Sequence, residues 1–257
     1  MKKVPRAIIF SGYGLNCEEE TKHAFELAEG AADIVHINDV IAKPSLLKAY
    51  QILAMPGGFS YGDHLGSGRA YALKLKNHLS EPIKKFLERD TLMIGICNGF
   101  QIVTNSDLLP GSLLPNTQAR YIDRWVDLKV VGESPWLEGI TELSLPIAHG
   151  EGRYYLEPAA LEKLERKNFI GLQYINGEVC QFQHLEANPN GSVLDIAGVL
   201  GYEGRMLGLM PHPERATSFF QLPQWTTLRD EARRRGLPIG EEGPGLALFK
   251  NAIHYFV

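Results

Sequence analysis

Residues 92–101 read LMIGICNGFQ, and this stretch decides the fold. Its first five residues form an uninterrupted apolar run with the length of a buried strand. A sequence able to form a helix begins at Asn98, so Cys97 stands at the junction of the two elements. Gly95 and Gly99 lie two residues before and after the cysteine, where small residues let neighbouring backbone pass closely. The stretch therefore predicts a sharp strand-to-helix turn with a cysteine at its apex.

The first hundred residues alternate between strand and helix patterns in the same way. Apolar runs predict strands at 6–11, 33–37, 51–55 and 92–96, and helical patterns lie between them at 18–29, 45–50 and 68–89. Continuous apolar strands joined by helices are typical of a parallel sheet covered on both faces. We therefore expect an α/β fold with a doubly wound, mostly parallel sheet and helices on both faces. Ligands of such sheets lie beyond the carboxyl ends of the strands.

Beyond about residue 110 the predicted elements are mostly strands. We expect them to extend the same sheet and to add a small mixed β extension, with runs at 125–131, 142–147, 170–174, 193–200 and 206–210. A last helix is predicted at 246–256. Residues 217–243 contain two prolines and the charged run RDEARRR, which predicts a surface insertion with a short helix around 227–235. No linker or repeat marks a boundary, so a single domain over 1–257 is predicted.

Composition narrows the class of protein further. With 44% hydrophobic and 22% charged residues, the 257-residue chain is an ordinary folded globule rather than a mainly disordered one. The 26 Lys and Arg against 30 Asp and Glu give a net charge of −4, which argues against nucleic-acid or anionic-membrane partners. No apolar run approaches the roughly 18 to 20 residues that span a bilayer. Three cysteines cannot all pair with one another, so we expect a cytoplasmic protein.

A reactive thiol needs a base, and the base needs a group that orients it. His212 follows the predicted strand 206–210 between two prolines, and Glu214 comes two residues later. The prolines restrict the backbone, and the carboxylate could accept a hydrogen bond from one imidazole nitrogen. The positive end of the helix after Cys97 favours a thiolate. Taken alone, Cys97 is also typical of a buried core cysteine, and Glu214 of a surface ion pair. Together the two segments favour a triad of Cys97, His212 and Glu214.

A third predicted strand end, residues 55–63 with the sequence MPGGFSYGD, contains a glycine pair where the chain must turn. Unshielded N–H groups there could form an oxyanion hole together with the N–H of Asn98. Taken alone, the segment is equally consistent with an ordinary glycine loop. Cys17, at the start of the first predicted helix, and Cys180, in no motif, are left without a predicted role.

These segments resemble a known family. The pattern GxCxGxQ at 95–101 and PHPE at 211–214 resemble the class I, or triad, glutamine amidotransferases. Further segments resemble the glutaminase subunits of phosphoribosylformylglycinamidine synthase from about residue 6 to the end: GLNCEEET at 14–21, MPGGFSYGD at 55–63, AHGEGR at 148–153, NPNGS at 188–192 and GLMPHPERA at 208–216. The resemblance implies the class I amidotransferase fold with flavodoxin-like layering.

The resemblance also implies an activity and its residues. Cys97 would attack the side-chain amide of L-glutamine and form a thioester, with His212 as base and then acid and Glu214 orienting it. Gly58 and Asn98 would supply the N–H groups of the oxyanion hole. The contacts to glutamine would come from Gln101, His149, Gly150 and Glu151. No metal and no cofactor are expected in this subunit.

The implied partner is a large synthetase subunit that uses ATP and Mg²⁺ to convert formylglycinamide ribonucleotide into its amidine in purine biosynthesis, with a small third subunit in some members. Three alternatives stay open: an amidotransferase subunit of another synthase, a stand-alone cysteine hydrolase of the same fold, and a non-catalytic regulatory subunit. Asn98 and the HGEG segment weigh against the first, Gln101 with the PHPE segment against the second, and the intact triad against the third.

Overall fold

The computed structural model describes residues 4–63 and 66–257. The strands are β1 (Arg6–Ser11), β2 (Ala31–His36), β3 (Ile52–Met55), β4 (Leu92–Ile96), β5 (Ser112–Leu114), β6 (Ile122–Val130), β7 (Glu142–His149), β8 (Arg153–Tyr155), β9 (Ile170–Ile175), β10 (Ile196–Gly201) and β11 (Met206–Leu209). The α-helices are α1 (Glu18–Leu27), α2 (Ile37–Ala42), α3 (Arg69–Leu87), α4 (Asn98–Asn105), α5 (Pro158–Arg166), α6 (Glu178–Gln183), α7 (Trp225–Arg234) and α8 (Leu246–His254). Short 3₁₀ helices lie at Pro44–Ala49, Ser60–Asp63, Pro135–Leu137, Val193–Asp195, Pro213–Arg215 and Phe219–Gln221.

Nine strands form one sheet in the order β2-β1-β3-β4-β11-β10-β9-β6-β7. The first five run parallel to one another, and each of the last four is antiparallel to the strand before it. The predicted α/β class is therefore confirmed, and the five strands expected after residue 110 all join the main sheet. The small mixed β extension expected from these strands does not form; the separate small sheet is instead a two-stranded antiparallel pair, β5 and β8, whose strands the sequence did not predict.

Burial explains why these runs form strands. Every residue of β3, β4 and β11 is buried, as expected for central strands covered on both faces. In β7, buried residues alternate with partly exposed ones, the pattern of a strand with one face on the core. All six residues of β2, at the edge of the sheet, are only partly buried.

Helices cover both faces of the parallel strands. The β1-α1-β2 connection moves to one side of β1, whereas the connections to β3 and β4 move to the other side. Because parallel crossovers are right-handed, α1 and α3 lie on opposite faces. Helix α1 packs on α8, where the rings of Phe25 and Phe249 meet edge to face at 4.9 Å. Helix α3 packs on α4.

The structure differs from the predicted elements in several places. The helix predicted at 45–50 is a 3₁₀ helix, and the strand predicted at 193–200 begins only at Ile196, because Leu194 and Asp195 have positive φ. Helices α2, α5 and α6 were not predicted. Segment 217–243 carries α7, and its ends meet where the N–H of Gly243 donates to the carbonyl of Thr217 at 2.8 Å. The predicted range 1–257 includes residues 1–3 and 64–65, which lie outside the described residues.

One edge of the sheet collects the segments that the sequence singled out. Strands β1, β3, β4 and β11 are parallel, so their carboxyl ends share an edge. Four successive antiparallel pairings lead from β11 to β7, so β7 runs in the same direction as β11. His149, the last residue of β7, therefore also lies at this edge. Within the described residues, no helix combines the length and the apolar character needed to cross a membrane.

Candidate active site

Cys97 lies at the apex of the predicted strand-to-helix turn. Its φ of 50° and ψ of −106° are rare for a residue with a side chain, and it caps the N-terminus of α4. Its N–H donates to the carbonyl of Leu209 at 2.8 Å, which ties the end of β4 to β11. A Cβ on Gly99 would lie 2.6 Å from the carbonyl carbon of Met55 and closer still to its oxygen. Glycine is therefore required there for α4 to pass β3.

His212 and Glu214 form a buried pair one strand away. The Nδ1 of His212 lies 2.6 Å from Oε1 of Glu214, and both side chains are almost fully enclosed. Burial acts to lower the pKa of His212, but the Glu214 carboxylate and the sulfur of Cys97 outweigh it and raise the pKa well above its usual value. The Nε2 atom is buried and has no hydrogen-bond partner among the described residues. It is thus available to the thiol.

The Cys97 thiol also contacts β7, the strand at the opposite edge of the sheet from β2. Its Sγ donates to the carbonyl of Ala148 at 3.7 Å, near the end of β7. The N–H of His212 donates to the carbonyl of Pro146 in the same strand at 2.8 Å. Strand β7 therefore contacts both the predicted nucleophile and the predicted base.

The two predicted oxyanion donors lie at the ends of the adjacent strands β3 and β4. The N–H groups of Gly58 and Asn98 have no hydrogen-bond acceptor in residues 4–63 and 66–257. A Cβ on Gly58 would lie 2.5 Å from the carbonyl oxygen of Gly14, so this turn requires glycine. The Asn98 side chain accepts from the N–H of Ser60 at 3.0 Å and thereby fixes the glycine turn against the start of α4.

A cavity of about 180 Å³ opens above the thiol. Six predicted site residues line it: Gly58, Cys97, Gln101, His149, Gly150 and Glu151. The other lining residues are Phe59, Ser67, Tyr121 and Ala148. The Gln101 Nε2 donates to the carbonyl of Glu151 at 2.6 Å, and the Glu151 carboxylate accepts from the N–H of Ser67 at 3.3 Å. Asn98, His212 and Glu214 are buried and do not line the cavity.

Asn116 is a site residue that the sequence did not reveal. Its Oδ1 lies 3.1 Å from Nδ1 of His149 and accepts from the N–H of Gly152 at 3.1 Å, and its Nδ2 donates to the carbonyl of His149 at 2.9 Å. Burial, reinforced by His212, lowers the pKa of His149 to about 3, so this imidazole is neutral. Asn116 stands in no motif, and its role depends on contacts distant in sequence. The NPNGS segment supports the same loop, because Asn190 donates to the carbonyl of Gly152 at 2.9 Å.

Cys17 also lies at the site, although the sequence left it without a role. An N–H of Arg215 donates to its Sγ at 3.0 Å. Possible metal-ligand atoms of Cys17, His212 and Glu214 lie within 4.8 Å of one another. The His212–Glu214 hydrogen bond engages Nδ1 and Oε1, and the Arg215 contact engages Sγ of Cys17. Cys180 is buried elsewhere, at α6.

Comparison with known proteins shows which family this arrangement belongs to. The family model of the CobB/CobQ-like glutamine amidotransferase domain matches residues 4–256. The chain belongs to this family. The resemblance to glutamine amidotransferases that the motifs indicated is therefore confirmed.

Individual members of the family are similar over nearly the whole chain. Phosphoribosylformylglycinamidine synthase subunit PurQ of Methanococcus maripaludis strain C5 is 43% identical, over 98% of this chain and 99% of the relative. The protein of the same description from Dehalococcoides mccartyi is 40% identical, over 99% of this chain and 98% of the relative. The solved structure of PurLQS from Thermotoga maritima matches with a TM-score of 0.74 and 32% identity, over 98% of this chain and 99% of that chain.

Proposed function

We propose that this chain is the glutaminase subunit of a phosphoribosylformylglycinamidine synthase. One observation carries the proposal: Cys97 occupies a strained strand-to-helix turn next to the buried His212–Glu214 pair, beneath a cavity lined by predicted glutamine contacts. Relatives described as subunit PurQ of this synthase are 40% and 43% identical over almost the full chain, which supports the choice of synthase.

The positions of the groups support the following reaction. His212 Nε2 takes the thiol proton, and the Cys97 sulfur attacks the side-chain carbonyl carbon of glutamine. The N–H groups of Gly58 and Asn98 stabilise the oxyanion that forms. His212 then protonates the amide nitrogen, the C–N bond breaks, and ammonia leaves behind a glutamyl thioester. Water loses a proton to His212 and attacks this thioester, and glutamate and the free thiol are released.

The raised pKa of His212 suits both halves of this cycle. The imidazolium form must persist long enough to protonate the leaving nitrogen and, later, the departing sulfur. Glu214 stabilises that form through the bond to Nδ1 and leaves Nε2 directed to the reaction.

The remaining cavity residues would bind the amino-acid end of glutamine. Gln101, His149, Gly150 and Glu151 line the cavity together with Cys97. Glu151 offers a carboxylate to the α-ammonium group, and the neutral His149 adds no positive charge that would repel it. Asn116 keeps this loop in place from behind.

Ammonia would pass to a separate synthetase subunit, and the word subunit in the relatives' description supports this division. We propose that ATP and Mg²⁺ act on that partner, that a small third subunit can join the assembly, and that this chain itself holds no cofactor. A cytoplasmic location is in keeping with the three cysteines, none of which forms a disulfide. We propose a single amidotransferase domain over 1–257 with 217–243 as a surface insertion, supported by the family match over 4–256.

A synthesis assay tests the proposal. The chain is combined with the synthetase subunit, ATP, Mg²⁺ and formylglycinamide ribonucleotide, and product is measured with either glutamine or ammonium chloride as nitrogen source. We expect Cys97→Ala to abolish glutamine-dependent synthesis and to leave ammonia-dependent synthesis unchanged. Cys180→Ala, which removes a buried thiol that does not line the cavity, is the matched control and should retain both. Undiminished glutamine-dependent synthesis by Cys97→Ala would refute the assignment.

A further inference from the structure

The proposed reaction leaves a second buried thiol at the site without a role. Cys17 is 1% exposed and caps the N-terminus of α1. Its N–H donates to the carbonyl of Gly57 at 3.2 Å. Gly57 lies in the turn that presents the N–H of Gly58, which we call the oxyanion turn. Its Sγ accepts an N–H from Arg215 at 3.0 Å. Cys17 therefore connects the oxyanion turn to the segment that carries the triad base.

Gly57 shows how closely these groups converge. A Cβ on Gly57 would lie 2.7 Å from Cε1 of His212 and 3.1 Å from Sγ of Cys17. The imidazole ring, the sulfur and the Gly57 backbone are thus packed together without space for one methyl group. Because such an interior transmits small displacements, loss of the sulfur would let the ring shift.

Arg215 completes the link on the other side. It is the last residue of the 3₁₀ turn Pro213–Arg215, and its N–H donates to the carbonyl of His212 at 3.2 Å. The guanidinium is therefore attached to the turn that carries Glu214. A guanidinium bound to Sγ limits the directions in which this turn can move relative to α1.

We propose that Cys17 and Arg215 are positioning residues that act as a pair. Their contact fixes the turn of His212 and Glu214 against the oxyanion turn, so that Nε2 and the N–H of Gly58 keep their separation. The inference rests on the proposed function, since glutamine hydrolysis is the reaction being positioned. Neither residue lines the cavity, so the pair acts on the chemical steps and not on the binding of glutamine.

Kinetics of the complex with the synthetase subunit test the pair. We expect Cys17→Ala and Arg215→Gln each to lower kcat for glutamine hydrolysis about 10- to 100-fold, as displacement of a catalytic group does, while KM stays nearly unchanged. The double variant should lose no more than the worse single variant, because both changes break one contact. Cys17→Ser keeps an acceptor for the guanidinium and should recover most of the loss.

Alkylation of Cys97 by iodoacetamide, read from peptide masses, gives a measurement that needs no glutamine. Both single variants should slow it, because the reactive thiolate depends on the position of His212. Cys180→Ala is the matched control: it removes another fully buried thiol and should change neither kcat nor alkylation. Slower alkylation in both variants, together with a wild-type complex that releases no ammonia from glutamine, would reject the proposed function and keep the pair.

The pair is rejected by any of three results. One is an unchanged kcat in Arg215→Gln. Because Arg215 is only half-buried, this variant can be measured even where Cys17→Ala fails to fold. Another is a double variant whose losses multiply. The third is a fall in kcat that matches the loss of folded protein measured by circular dichroism in each variant.

Discussion

Gly99→Ala tests whether the close approach of α4 to β3 sets up the site. A Cβ at this position would lie 2.6 Å from the carbonyl carbon of Met55 and 2.9 Å from its Cβ. In folded proteins a Cβ atom essentially never lies closer than 3.0 Å to a non-bonded heavy atom, so the 2.6 Å contact is too short by about 0.4 Å. Both sides of the contact with the carbonyl group are main chain, so no side-chain rotation relieves it. The helix and the strand must therefore separate.

The separation acts directly on the proposed oxyanion hole. Met55 precedes the turn that presents the N–H of Gly58, and Asn98 begins the helix that moves. We expect a loss of about 1–3 kcal/mol in the free energy of unfolding, the usual cost of an overpacked core. We also expect kcat for glutamine hydrolysis to fall about 100-fold, the cost of a donor displaced from an oxyanion.

Urea denaturation and steady-state ammonia release measure the two effects. Gly240→Ala is the matched control, because a Cβ there has no neighbour within 4 Å among the described residues. It should leave the free energy of unfolding and kcat at wild-type values. If Gly99→Ala also matched wild type in both measurements, the argument that backbone contact between β3 and α4 shapes the site would be wrong.

Three further changes should separate the roles of the polar groups. Glu214→Gln removes the carboxylate that raises the pKa of His212, so kcat should fall about 100-fold or more and the alkaline limb of its pH profile should move to lower pH in a kinetic titration. Asn116→Ala leaves the N–H of Gly152 and the ring of His149 without their partner, so KM for glutamine should rise more than kcat falls, and urea denaturation should show a loss of about 1–3 kcal/mol. The pKa of His149 is lowered to about 3 in the folded chain, so as pH falls below 6.5 this residue is protonated in the unfolded chain first, and the folded chain loses stability. His149→Gln removes this proton uptake. It should therefore reduce the loss of unfolding free energy between pH 6.5 and pH 3, by up to about 1.4 kcal/mol per pH unit.

Local sequence was sufficient where a single strand or turn carried the signal. The strands at 6–11 and 92–96 have the predicted bounds, because each is a continuous apolar run ended by a residue that must turn. Strands β5 and β8 are three residues long and exist through their pairing with each other, which no local pattern announces. The first turn of helix α6 is fixed by the N–H of Cys180, which donates to the Asp127 carboxylate at 2.7 Å, across 53 residues of chain.

The same distinction applies to the candidate site. Residues within recognisable segments, such as Gln101 and Glu151, were predicted to lie together and do line one cavity. Asn116 and Cys17 were missed because their partners lie 33 and 198 residues away, at His149 and Arg215. A lone asparagine or cysteine carries no pattern of its own, so only the folded chain reveals such contacts.

The order of the strands separates the proposed catalytic groups from the proposed glutamine-binding groups. The oxyanion turn, Cys97 and His212 follow the adjacent strands β3, β4 and β11, whose main-chain hydrogen bonds hold them in register. The loop after His149 is outside the ladder; it is held by the side chains of Asn116 and Asn190 and by the N–H of Asn116, which donates to the carbonyl of Gly150 at 2.9 Å. Ladder bonds in a buried sheet open less readily than side-chain bonds of a loop. Substitutions at the strand ends should therefore act mainly on kcat, whereas substitutions that free the loop should act mainly on KM.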